Sequence, residues 1–133
     1  MKGKSPAEIM LNSLVPAQRL IKRLQGVLKD TEPPKGISIS NSTKATIAAF
    51  RDDIQSRIDE LTAQREKAEA LIKRIDNPDA QWVILLRYGF VGLSCEKMPY
   101  PKICENMNYE NETIFRYRKK GIEQLNQMLE NGD

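Results

Sequence analysis

The sequence predicts an all-α protein: an N-terminal antiparallel helical hairpin, coiled-coil-like, followed by a helix-turn-helix module. Three observations carry this. Apolar residues recur at three- and four-residue intervals, the helical period. Breaks rich in proline, glycine or small polar residues fall at 30–43, at Asn77-Pro78-Asp79 and at 88–101, where a helix does not propagate. The C-terminal third then divides into three short helical segments, the last two separated by a tight turn. The chain is accordingly divided into residues 1–76, the hairpin, and residues 77–133, the helix-turn-helix module.

The first helix opens at Ser5-Pro6-Ala7-Glu8, a capping box with proline at the first helical position. Met10, Leu14, Ala17, Ile21, Leu24 and Leu28 then line one face. Pro16 has no N–H to donate, so a kink or a split into two helices is expected there. The clearest period lies in 44–76, where Ile47, Ile54, Leu61, Ala68 and Ile75 recur every seven residues, with Ile58 and Ile72 between them. Arg51 and Arg65 hold the other seam positions; their stems can lie along a seam while the guanidinium groups reach water. Such a helix runs roughly 50 Å, too long for an ordinary globular helix. It reads as one arm of an antiparallel coiled coil with the first helix as partner. A two-helix hairpin leaves apolar seam uncovered, so self-association through residues 44–76 as a homodimer is expected.

Beyond Asn77, which can cap a new helix, residues 79–88 carry Trp82, Val83, Leu85 and Leu86, with Trp82 as a core anchor. A short helix follows over 101–107. The last helix spans 111–129, with Ile114, Tyr117, Ile122, Leu125 and Leu129 as its buried face.

Composition removes many function classes. The chain of 133 residues contains no histidine, which excludes Ser-His-Asp and Cys-His catalysis and any His-ligated metal. Cys95 and Cys104 cannot close a tetrahedral zinc site, and read as a loop thiol and a core residue. No catalytic residue and no cofactor is expected: the acid pairs Asp52/Asp53 and Glu66/Glu69 lie on a long charged helix, where carboxylates are solvated. Gly89 and Gly92 have no phosphate-loop spacing and read as turn residues. No apolar run approaches the ~20 residues of a membrane span, and Met1 to Ser5 lacks a signal-peptide core. A cytoplasmic protein with reduced thiols is expected.

The chemistry-bearing stretch is 103–116. Cys104 is small enough for a close helix crossing, and Asn108 tolerates the positive φ of a turn. Ile103, Met107, Ile114 and Tyr117 supply apolar anchors. The outward face of the last helix then offers Asn111, Glu112, Thr113, Arg116, Arg118, Lys119 and Lys120 to base edges and phosphates. The net charge of the whole chain is only +3. Within 111–122, however, four basic residues (Arg116, Arg118, Lys119, Lys120) meet one acid, Glu112. Lys2 and Lys4 form a short basic tail that could also touch DNA.

The runs Leu85-Leu86-Arg87-Tyr88, Ile103 to Tyr109 and Thr113 to Ile122 resemble a sigma factor region 4-like helix-turn-helix. With the long N-terminal hairpin, the chain resembles ArpU/RinA-type phage transcriptional regulators and related small phage proteins. The resemblance is strongest over residues 79–129. It implies DNA binding in phage or prophage transcriptional control. By positional match it directs Asn111, Glu112, Phe115 and Arg116 into the major groove and sets Lys119 and Lys120 nearer phosphates. Three departures are visible: a longer loop over 89–102, Glu110 in place of a serine cap with Asn111 as the alternative cap, and an acid at 110 facing the phosphate backbone. Double-stranded DNA is thus the expected partner. The alternative is a phage assembly or packaging protein, or an RNA polymerase adaptor, in which the helix-turn-helix serves as a packing unit.

Overall fold

The computed structural model describes residues 4–32, 36, 38–91 and 96–132; Lys2, Gly92 and Cys95, singled out above, lie outside them. The secondary structure among the described residues is all helical: α1 (Pro6–Asp30), α2 (Asn41–Ile72), α3 (Pro78–Arg87), α4 (Tyr100–Met107) and α5 (Asn111–Glu130). None of these helices is long and apolar enough to cross a membrane.

Local chemistry accounts for the helix ends. Ser5 Oγ accepts the Glu8 N–H at 3.3 Å, which is the serine half of the expected capping box, while Glu8 Oε1 accepts from the Ser5 hydroxyl instead of its backbone N–H. Ser40 Oγ caps α2 by accepting the Thr43 N–H. This draws Asn41–Thr43, expected in a loop, into the first turn of α2. Asn77 Oδ1 accepts from the N–H groups of Asp79 and Ala80, with Pro78 at the first position of α3. Gly89 (φ 79°) closes α3: the Phe90 N–H donates to Leu85 O and the Gly89 N–H to Leu86 O, a Schellman end. Asn108 (φ 58°) closes α4 in the same left-handed region.

Pro16 does not split α1, which runs unbroken from residue 6 to 30. The proline forfeits one hydrogen bond. The burial of Leu11, Leu14, Val15 and Gln18 on either side of it offsets that loss. The buried line of α1 also differs from the expected one. Ala7, Leu11, Leu14, Val15 and Gln18 are buried, whereas Met10, Ala17, Ile21, Leu24 and Leu28 are half-buried. The reason is that the first turns of α1 meet α5 as well as α2, so the buried arc there is wider and rotated.

Along α2, Ile54, Ile58, Leu61, Ala68 and Ile72 are buried and Ile47 half-buried. The helix ends at Ile72, before the expected 76; Ile75 is buried from the turn that follows. The two seam arginines do not extend into water. Arg51 Nη1 donates to Leu28 O and to Thr31 Oγ1, satisfying a carbonyl at the end of α1. Arg65 donates to Gln18 Oε1 at 3.1 Å, pairs with Glu69 and lies over the Phe90 ring at 5.0 Å. Leu28 with Arg51 and Gln18 with Arg65 mark contacts that run in opposite senses along α1 and α2.

The main core joins α1, α2, α3 and α5 through Leu11, Leu14, Leu71, Ile72, Ile84 and Leu125. Two side chains of α5 tie its C-terminal half to the helices before it. Asn126 Oδ1 accepts the Ala7 N–H, and Gln124 Oε1 accepts the Asp76 N–H, each at 2.9 Å. A second, smaller core of Val83, Leu86, Ile103 and Ile114 holds α3, α4 and the start of α5 together.

Candidate nucleic-acid interface

The geometry of the α4–α5 unit begins with its anchors. Ile103 and Ile114 are fully buried against Val83 and Leu86. Asn108 turns the chain, and the Tyr109 N–H donates to Cys104 O at 3.2 Å. Cys104 is half-buried, and its Sγ–H donates to Asn111 Oδ1 at 3.1 Å. Asn111 therefore does not cap α5: it is the first helical residue. Glu110 takes the N-cap position in extended backbone, without a side-chain cap bond.

With Ile114 buried, the 100° step of the helix decides what faces outward. Glu112, Arg116 and Lys119, spaced by four and three residues, are exposed, as are Asn111, Phe115 and Lys120. Thr113 is half-buried. Arg118 departs from expectation. It lies four residues after Ile114, on the inner side, and its guanidinium donates to the Tyr88 hydroxyl at 2.8 Å and faces Glu8 at 3.7 Å. Three outward cations, Arg116, Lys119 and Lys120, thus remain on the first half of α5, against Glu112.

Phe115 is 48% exposed, but it is held. The Tyr100 ring meets it edge-on at 4.7 Å, and Arg87 stacks over Tyr100 at 4.2 Å while donating to Met98 O. The departure at 89–102 acquires a role here: its end, the start of α4, supplies Tyr100 as a prop for the face of α5. Sequence reasoning missed this stack. Its only trace in the sequence was an aromatic residue between two prolines, Pro99 and Pro101.

Trp82 is not a core anchor. It is 37% exposed, and its indole N–H donates to Asn106 Oδ1 at 2.9 Å, bracing α3 against α4 from outside. Tyr109 lies beside Tyr117 and donates to Asp79 Oδ2; that hydrogen bond to a carboxylate raises the pKa of the phenol. Burial raises the pKa of Tyr88, partly offset by Arg118, so its hydroxyl is neutral beside the guanidinium.

A second cationic region flanks α1. Glu96 pairs with Arg19 at 2.6 Å, and this bond holds the Glu96 carboxyl below its ordinary value. Lys97 donates to Asn12 Oδ1; partial burial and the nearby Arg87, Lys4, Arg118 and Arg19 lower its pKa. Lys4, named in the basic tail, lines the same shallow pocket as Arg19 and Lys97. Among the described residues no group of His, Cys, Asp or Glu is arranged to hold a metal ion.

The arrangement offers a projecting helix with three outward cations, a fixed aromatic ring and an amide, on a unit anchored by its own small core. No curated protein and no solved structure matches the chain. A family model does match it, over residues 42–126, from the first turn of α2 to near the end of α5. That span is more than half of the chain, which therefore belongs to DUF1492, a family described as a protein of unknown function.

Proposed function

We propose that the protein is a sequence-specific double-stranded DNA binder acting in phage or prophage transcriptional control, with α4 and α5 as a sigma region 4-like helix-turn-helix and α1 with α2 as its helical hairpin. The observation that carries this reading is the outward face of α5. Glu112, Phe115, Arg116, Lys119 and Lys120 project from a helix whose opposite side is buried at Ile114, Gly121 and Leu125. In this reading α5 lies in the major groove. Asn111, Phe115 and Arg116 face base edges, with Thr113 and Glu112 at the first turn, and Lys119 and Lys120 contact phosphates. Phe115, braced by Tyr100, offers a fixed apolar contact of the kind that thymine methyl groups accept. The resemblance to ArpU/RinA-type regulators supports the same assignment. RNA polymerase is a further partner in this reading.

Binding to genomic and random duplex across a salt series tests it. A DNA reader binds both, and its affinity falls steeply with salt. Arg116→Ala is expected to cost about 1–3 kcal/mol on the selected sequence alone, because a base-edge arginine loses paired hydrogen bonds. Lys119→Ala and Lys120→Ala are expected to weaken all duplexes alike and to lower the salt slope by about one each. Binding of every duplex unchanged by Arg116→Ala, with helicity intact, removes α5 as the reading helix. No measurable duplex affinity at low salt favours the packing-unit alternative.

A further inference from the structure

We propose that two copies of the chain associate face to face, the Phe50 ring of each entering an apolar pocket where α1, α2 and α5 meet on the other. Phe50 is 50% exposed on the N-terminal half of α2. The pocket measures about 240 Å³ and is formed by Met10, Leu14, Ala68, Leu71 and Leu129, with Gln64 and Lys67 alongside. An enclosed aliphatic cavity of ~150 Å³ takes a benzene ring, so this pocket, open on one side, has the volume for a phenyl group.

Ring and pocket lie on one side of the molecule. Two helical turns take about seven residues, so Phe50, Arg57 and Gln64 succeed one another along one line of α2, and Gln64 lines the pocket. On α1, Ser13 lines the same pocket, and Leu20 and Val27 follow it at the same interval, both half-buried. The surface between ring and pocket is thus partly apolar. Some 17 residues of α2 separate the two features, about 26 Å along the helix. A two-fold axis midway between them brings each Phe50 to the level of the other copy's pocket, which makes the contact isologous and closed.

Charge agrees with this register. Asp53 follows Phe50 by one turn, and Lys67 borders the pocket, both exposed. The operation that inserts Phe50 sets Asp53 level with the opposite copy's Gln64, one helical turn from its Lys67 and within the reach of a lysine side chain. A knob, a hole and opposite charges one turn apart on one face, related by one axis, point to a second copy of this chain as the occupant. The contact locates the self-association expected of residues 44–76, and it stands apart from the DNA reading.

Sedimentation velocity at tens of micromolar tests the proposal without nucleic acid. The parent is expected to be a dimer. Phe50→Glu, at an exposed position, is expected to raise the dissociation constant by about a hundredfold or more, because two rings lose their burial, with unchanged circular dichroism. Ser13→Trp is expected to fill the pocket mouth with the same result. Mixing the two variants restores association in part, since one of the two ring–pocket contacts is then intact. Phe115→Glu leaves the dimer intact. A monomeric parent, a dimeric Phe50→Glu variant, no association in the mixture, or loss of the dimer with Phe115→Glu each overturns the proposal.

Discussion

Gly121 lies midway along α5 on its buried side, where alanine sets two effects against each other. In a helix interior alanine is favoured over glycine by about 1 kcal/mol. Here, however, an added Cβ would stand 2.9 Å from Ile84 Cγ1 and 3.4 Å from Ala80 O. Carbon atoms pack best at about 3.5–4.0 Å, and Ile84 is fully buried, so its side chain has little room to withdraw. Overpacking of this kind costs about 1–3 kcal/mol, which outweighs the propensity gain. Gly121→Ala should therefore destabilise by roughly 1 kcal/mol, a fall in Tm of about 3–5 °C for a domain of this size. Gly26 provides the control. It lies within α1 with no atom within 4 Å of the added Cβ, so the same substitution should stabilise by about 0.5–1 kcal/mol. Thermal unfolding followed by circular dichroism reads both. A Tm that rises with Gly121→Ala as it does with Gly26→Ala would show that α3 and α5 do not cross this closely.

Ile114→Ala should cost about 2–5 kcal/mol in urea denaturation, because it empties the centre of the small core under α4 and α5; a loss below about 1 kcal/mol would mean that this core is not packed. The raised pKa of Tyr88 gives an alkaline limb. Its contribution to stability is complete below the unfolded tyrosine pKa of about 10 and is lost as pH rises through the higher folded value. Tyrosinate absorbance of the parent against Tyr88→Phe isolates this group, and an ordinary midpoint would contradict the burial argument.

The helices were legible because their signals are local. Ser5, Asn77, Asn108 and Gly89 act within one turn of themselves, and the seven-residue period of α2 needs no knowledge of its partner. What sequence reasoning missed depends on distant partners. Arg51 and Arg65 look like solvated seam charges until Leu28 O, Gln18 and Phe90 are brought to them by the folding of α1 and the end of α3. Arg118 belongs by composition to a basic run, yet its position relative to Ile114 turns it inward to Tyr88. Trp82 reads as core by type, and only the placement of Asn106 explains why an exposed indole is favourable there. On the candidate face, Arg116, Lys119 and Lys120 followed from helical spacing. The Tyr100 prop under Phe115 did not, because it comes from another helix across a turn.

The bonds from Asn126 to the Ala7 N–H and from Gln124 to the Asp76 N–H have a mechanical consequence. They fasten the C-terminal half of α5 to the base of both long helices, and with the shared core they make α5 and the α1–α2 pair one rigid arm. α2, with 32 residues, extends about 48 Å. A tilt of this arm by about 5° about its base moves the far end of α2 by about 4 Å. A load applied at the distant Leu28–Arg51 end is thus felt at α5 as a small rotation, and a rotation of α5 is magnified at that end.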